Sequence, residues 1–372
     1  MSWAIVGEET GDDSLRRSGR IARLNGYVHT THLHVEGSKT MPSDQTRGRV
    51  LAKAAEGSMR LATDTGKATG VDTDWVERVA HVRPWTKGGA RAPHKPLLLL
   101  YALGRLQQAG VSVPVPYAEA EKPLDALLSE FGPPHHTSSV YPFYHLTSDR
   151  LWVIKTAPGL GSPGATKKDM RSFGAAGELA PDFADALLAD PALFAAIVHL
   201  LLDSNFPPTL HTDICDQVGI DLLSADMTPS ALMAKVAKKK RDPEFRNLVL
   251  MAYEKTCAMC GFDSQLDTDS PGLEAAHVRW FNIDGPDEPS NGLCLCSLHH
   301  KLLDKGAMGL TAEHTISVSA RFISKSSAAQ HFVHALLGKE IIEPQAGFDP
   351  VADTHIAWHT TEVFRPPARE VA

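Results

Sequence analysis

Cys257-Ala258-Met259-Cys260, then His277, Asn291 and Cys296-Ser297-Leu298-His299-His300 with Asp304 one helical turn later, is the stretch that decides how this chain folds. Two sets of groups with different work are interleaved in it. Cys257, Cys260, Cys296 and His299 form two pairs at knuckle spacing, and thiolate and neutral imidazole suit a tetrahedral Zn²⁺. His277, Asn291, His300 and Asp304 are groups of another kind: a candidate base, a hydrogen-bonding orienter and ligands for a second, harder cation. His300 and Asp304 are four residues apart, so on a helix they point the same way. Cys294, beside Leu295 on a strand, is left open between ligand and core.

Around these residues the pattern predicts local structure. Residues 274–278 and 293–296 read as strands, and 298–304 as the helix that follows. A helix over about 243–253 delivers the chain to the first cysteine pair. Residues 316–319 read as a short strand behind this module, and 338–372 as a Pro-rich tail packed on it through Trp358 and Phe364.

Composition bounds the rest. At 372 residues the chain has room for two domains and a tail. Hydrophobic content of 43% and charged content of 22% describe an ordinary globular protein. No run of about 18 apolar residues and no signal-peptide pattern occurs, so a membrane partner is not expected. Four of the 5 cysteines fall between Cys257 and Cys296, with Cys215 apart. Such clustering fits a metal site in a reducing compartment rather than a disulfide framework, and the expected location is cytoplasmic.

The net charge of −7 argues against indiscriminate coating of nucleic acid, so local charge matters more. Basic runs occur at Arg83, Lys87, Arg91 and Lys95, at Lys167, Lys168 and Arg171 around Asp169, and at Lys238-Lys239-Lys240-Arg241. Each is either a solvated face or part of a discontinuous phosphate-binding surface.

N-terminal to the metal-binding stretch, residues 1–70 have few large apolar residues, with Trp3 and Tyr27 as the aromatics, and read as disordered or weakly structured. A domain is expected over 75–210. Pro96 leads into a Leu-rich helix that Gly110 ends, and a shorter helix follows over 124–131. Residues 141–146 and 151–154 read as a strand pair around a turn. Gly174 to Gly177 reads as punctuation, and helices follow over 183–188 and 191–203. Pro207-Pro208 closes the domain, and 211–242 reads as linker with some helix.

Residues 251–310 resemble the HNH, or ββα-metal, nuclease family through Glu274 to His277, Asn291-Gly292-Leu293 and Cys296 to His300. The resemblance implies that His277 takes the proton from the attacking water, that Asn291 orients the imidazole or the hairpin, and that His300 and Asp304 hold Mg²⁺ or Mn²⁺. Many members carry Asp or His just before the base as a metal ligand; here that place is Ala276, so Asp304 or Glu274 must compensate. The 75–210 stretch resembles the sulfur-binding domain of phosphorothioate-dependent restriction endonucleases, through His94-Lys95-Pro96 before the Leu-rich helix, Tyr141-Pro142-Phe143-Tyr144, and Arg171-Ser172-Phe173. That resemblance implies a small apolar pocket lined by Tyr141 and Pro142, with Arg91, His94, Lys95, Arg171 and Ser172 on backbone or base edges.

Elementary energetics say how such a pocket would discriminate. Burying one polarizable sulfur gains about 1 kcal/mol. Stripping water from a phosphate oxygen with no donor to replace it costs about 2 kcal/mol or more. Rejection of the oxygen form would therefore dominate.

The expected molecule is an α+β chain: a mixed or mainly helical DNA-reader domain (75–210), a linker (211–242), a zinc-stabilised ββα-metal nuclease domain (243–337) and a tail (338–372). Its expected activity is hydrolysis of double-stranded DNA near a backbone sulfur, with structural Zn²⁺ and catalytic Mg²⁺ or Mn²⁺, and a homodimer as one option for cutting two strands. Two alternatives stay open. One is the same nuclease addressed to a modified base or a sequence motif; the other is a non-catalytic, zinc-stabilised DNA-binding protein.

Overall fold

A computed structural model describes residues 70–82, 92–135, 137–221 and 241–371. Arg91, Lys238-Lys239-Lys240 and all but the last residue of the segment 1–70 lie outside the described residues.

The N-terminal lobe is built on one buried helix. The apolar run after Pro96 forms α2 (His94–Ala109), in which Leu97, Leu98, Leu99, Leu100 and Leu103 are fully buried. Each such leucine contributes roughly 2 kcal/mol through removal from water, so this helix anchors the lobe. Gly110, left-handed at φ 65°, ends it. Around it pack α3 (Tyr117–Phe131), α4 (Val140–His145), α7 (Pro191–Asn205) and α8 (Pro208–Val218), and α1 (Gly70–Ala80) packs on α7. The helix α6 (Pro181–Ala189) precedes α7, and Asp190 caps α7 by accepting from the N–H groups of Ala192 and Leu193. Among the described residues no single helix is long and apolar enough to cross a membrane; α6 and α7 are apolar together but meet at 114°.

A three-stranded antiparallel sheet, in the order β1-β3-β2, closes this lobe. Its strands are β1 (Val115–Pro116), β2 (Trp152–Lys155) and β3 (Ala176–Leu179), and α5 (Lys167–Ser172) lies between the last two in sequence. Two expectations are corrected here. Residues 141–146 are helix and turn, with Val140, Phe143 and Leu146 buried at helical spacing. Pro142 sits in the first turn, where its missing N–H costs nothing. The partner of β2 is β3, with Trp152 opposite Leu179. The glycines expected only to punctuate therefore run into a strand. A Cβ on Gly177 would come within 2.8 Å of Phe143 and far closer to the Trp152 ring, so the bare backbone is what lets that indole pack.

The linker expected over 211–242 also begins later than its composition suggests. The helix α8 buries Leu210, Ile214, Cys215 and Val218 in the lobe's core, so residues up to Val218 are core.

The C-terminal lobe has a second core. Helix α9 (Phe245–Ala252) precedes the antiparallel hairpin of β4 (Leu273–His277) and β5 (Gly292–Cys296), which runs into α10 (Ser297–Asp304). The smaller hairpin of β6 (Met308–Leu310) and β7 (Ile316–Val318), α11 (Ser327–Phe332) and α12 (Asp353–Glu362) complete it. Trp358 on α12 meets Trp280 edge to face, and Val363 joins the core of the N-terminal lobe.

Candidate active site and metal centre

The cysteine pairs converge. Cys257 and Cys260 flank a tight turn after α9, closed by the Gly261 N–H donating to the Cys257 carbonyl; Cys296 ends β5 and His299 lies in the first turn of α10. Their ligand atoms all lie within 4.8 Å of one another, with His299 Nδ1 at 3.2 Å from Cys296 Sγ and 3.5 Å from Cys257 Sγ. A tetrahedron with ~2.3 Å metal–sulfur bonds has edges of about 3.8 Å, so the four groups fit such an ion with little movement. His299 Nε2–H donates to the Phe332 carbonyl at 2.8 Å, which fixes the tautomer that turns Nδ1 toward the sulfurs.

The electrostatics agree. Burial alone would depress the His299 imidazole, but the Cys257 and Cys296 sulfurs hold it up at about 10. Cys257 is pulled well below the ordinary thiol range by hydrogen bonds from Cys260 and Cys296, and Cys260 is pushed up in turn. The cluster shares protons where a metal would replace them. Cys294 is fully buried opposite Ala275, its thiol pushed up to about 12 by burial, and belongs to the core.

The second constellation lies around a cavity of about 190 Å³ lined by Glu274, His277, His300, Asp304, Arg241 and Thr209, among others. His277 ends β4. Its ring stacks on Phe245 at 4.1 Å, and its Nε2–H donates to Asp287 at 2.7 Å. Burial pulls this imidazole below its ordinary value, against the opposite pull of Asp287. A neutral ring protonated on Nε2 carries its lone pair on Nδ1, the form a general base needs. Asn291 is fully buried and does not touch the imidazole. It holds the hairpin: its Oδ1 accepts from the Arg279 N–H, and its Nδ2 donates to the Arg279 and Pro286 carbonyls.

His300 bridges two carboxylates. Its Nδ1–H donates to Glu274 at 2.6 Å, and its Nε2 lies 3.3 Å from Asp304. Burial lowers its pKa, yet Asp304 and Glu274 together raise it to about 9. Glu274 is in turn drawn down to about 2 by His300. Two carboxylates and one imidazole facing a cavity suit a divalent ion better than a lone proton. Ala276 is fully buried, so Glu274 and Asp304 are the available acids. The sequence reading missed Asp287 and Phe245 altogether. Asp287 lies in a Gly- and Pro-rich loop, and Phe245 looks like an ordinary helix residue.

Two of the cations expected to hold DNA are ion-paired within the protein. Lys95 is tied to Asp149 at 2.6 Å, and Arg171 grips Glu121 through two nitrogens at 2.6 and 3.0 Å. Lys167 reaches Glu121 and Asp125, and Asp125 accepts from the Ser139 N–H just before Tyr141. Tyr141 is exposed and stacks on His145, Pro142 is buried, and Ser172 donates to the Asp169 carbonyl. His94 opens α2, half-buried.

Residues 72–223 match the model of the ScoMcrA-like DNA sulfur-binding domain, and residues 257–311 match that of the HNH endonuclease. The chain joins a DNA sulfur-binding domain to an HNH endonuclease domain. Among solved structures it is similar to the sulfur binding domain of ScoMcrA complexed with phosphorothioated DNA. The two are 22% identical over 39% of this chain and 95% of that one, with a TM-score of 0.34. The Type IV phosphorothioation-dependent restriction endonuclease ScoMcrA is 21% identical over 38% of this chain and 28% of its own, with a TM-score of 0.31. The modification dependent TagI restriction endonuclease is 23% identical over 34% of this chain and 40% of its own, with a TM-score of 0.25. At such identities and scores the weight rests on the two family models. No curated protein matches the chain. The HNH domain makes the chain a DNA endonuclease.

Proposed function

We propose that this chain binds phosphorothioated duplex DNA through the domain at 75–210 and hydrolyses a phosphodiester nearby through the domain at 243–337, in the cytoplasm. The observation that carries the reading is the pairing in one molecule of a sulfur-binding domain with a cavity edged by a neutral, oriented His277 and the Glu274–His300–Asp304 set. His277 takes the proton from water at Nδ1 while Asp287 holds the ring and stabilises the imidazolium that forms. Asn291 keeps the hairpin that presents His277, and Phe245 keeps water off one face of the ring. Glu274, His300 and Asp304 are the groups that would hold Mg²⁺ or Mn²⁺, which supplies charge stabilisation at the scissile phosphate and the leaving oxygen. Cys257, Cys260, Cys296 and His299 would hold Zn²⁺ as a structural ion.

In the sulfur-binding domain Tyr141 and Pro142 line the sulfur pocket, with Arg91, His94, Lys95, Arg171 and Ser172 on the phosphates or base edges. A second reading keeps the nuclease and changes the address to a modified base or sequence motif. The pairing of Lys95 with Asp149 and of Arg171 with Glu121 leaves both cations partly neutralised inside the protein, which either address must overcome. Digestion of one plasmid, prepared with and without backbone sulfur, in Mg²⁺ and in Mn²⁺, separates the two. Cutting confined to the sulfur-containing plasmid supports the first reading, and equal cutting of both supports the second.

A further inference from the structure

The cavity around His277 and His300 is not walled by the HNH domain alone: Pro207, Pro208 and Thr209 of the sulfur-binding domain line it as well. Thr209, at the start of α8, donates its hydroxyl to Asp304 Oδ2 at 2.5 Å. Asp304 is only 3% exposed, and the same Oδ2 faces His300 Nε2. We propose that Thr209 is a positioning residue of the nuclease site, contributed by the domain that reads the DNA. This inference rests on the reading of Glu274, His300 and Asp304 as the catalytic cation site.

The argument is one of geometry and desolvation. A carboxylate this deeply buried is costly unless its oxygens are hydrogen-bonded. The Thr209 hydroxyl meets that need at Oδ2 and fixes the side-chain torsion. Among the described residues Oδ1 has no hydrogen-bond partner, so it is the oxygen left to a cation. Thr209 is itself held. The Lys301 ammonium donates to the Thr209 carbonyl and to Asp213 one turn further along α8, and Lys305 reaches both Asp213 and Glu130. On the preceding side, Asn282 of the HNH domain donates to the carbonyls of Asp203 and Phe206. The segment joining α7 to α8 is therefore gripped by HNH-domain side chains on both sides of Thr209, so the hydroxyl arrives at Asp304 by construction. Donors that orient a metal-binding side chain in this way are commonly worth 10–100-fold in metal affinity or activity, which is about the effect expected here.

The test uses the full, zinc-replete chain and the variants Thr209→Val and Thr209→Ser. Mn²⁺ affinity is read from the paramagnetic resonance signal of the free ion, beside zinc content and the affinity for a phosphorothioated duplex. Thr209→Val should weaken Mn²⁺ binding about tenfold with zinc content and duplex affinity unchanged, and Thr209→Ser, which keeps the hydroxyl, should restore it to within about twofold. If Thr209→Val does not fold, Thr209→Ala removes the same donor. Mn²⁺ affinity unchanged in the variant that lacks the hydroxyl, or no Mn²⁺ bound by the wild type, overturns the proposal. If the variants behave as expected yet the wild type cuts no duplex, the positioning role stands and the nuclease reading falls.

Discussion

The imidazole of His277 is useful as a base only while neutral, and its burial against Phe245 favours that state. Its pKa lies below the ordinary 6.5, so the neutral form persists to lower pH than in an exposed histidine. At saturating metal, cleavage should be flat through neutrality and fall only as pH drops through that lowered value. A pH–rate profile with its acidic midpoint above 7 contradicts this. His277→Ala should cost about 10²–10⁴ in cleavage rate while leaving zinc content and duplex affinity near wild type, since a base acts in the transition state; cleavage kept within tenfold removes His277 from the mechanism. The residues proposed for this chemistry are largely legible in sequence, because the Cys and His residues at these spacings are brought together by the fold. Asp287 is not, because its value depends on a loop fold that brings it to His277 across the hairpin. Equally illegible was the partner of Arg171. Glu121→Gln would release that guanidinium, which is itself more than half exposed and so only weakly held by the pair. A rise of up to about fivefold in affinity is expected, equal for sulfur and oxygen duplexes, because only backbone charge is gained. Titrations of both duplexes at two salt concentrations check it.

Among the elements, the turn at Cys257, the hairpin of β4 and β5, and α10 form as expected because a metal knuckle and an alternating strand leave clear marks in sequence. The element misread was α4. Tyr141-Pro142-Phe143-Tyr144 has the aromatic composition of a strand, and only the burial of Val140, Phe143 and Leu146 together shows that tertiary packing chose a helix. The strand β3 was hidden by its glycines, though Gly177 is there to admit the Trp152 ring. Gly177→Ala should therefore destabilise the sulfur-binding domain by roughly 1–3 kcal/mol through overpacking. A thermal melt of the variant unchanged from wild type would show that the indole can move aside. At the metal knuckle, Cys257→Ser should strip the bound zinc and unfold the HNH domain, since a structural metal supplies about 10 kcal/mol or more of folding free energy. Elemental analysis with circular dichroism after chelation checks this; a wild type that carries no zinc and stays folded with chelator contradicts it.

At the scale of the molecule, the sequence marks two modules but not how they meet. Residues 211–218 look like linker because Pro207-Pro208 reads as an end. In the fold they restart a helix that packs into one core and donates to a carboxylate of the other lobe. The grip is repeated at Arg365, which donates to the Glu130 and Gly132 carbonyls from beyond α12. Such pairings join residues far apart in sequence, and no local pattern encodes them. Their consequence is that the two lobes are tied together by side-chain contacts at α8 and beyond α12. The most direct measurement takes two duplexes identical but for one backbone sulfur, offered to the wild type for cleavage and to His277→Ala for binding, at two salt concentrations. Tighter binding of the sulfur duplex, with a preference that persists as salt rises, together with cleavage at fixed distance from the sulfur, is the predicted result. Equal affinity and equal cleavage of the two duplexes at both salts would contradict it.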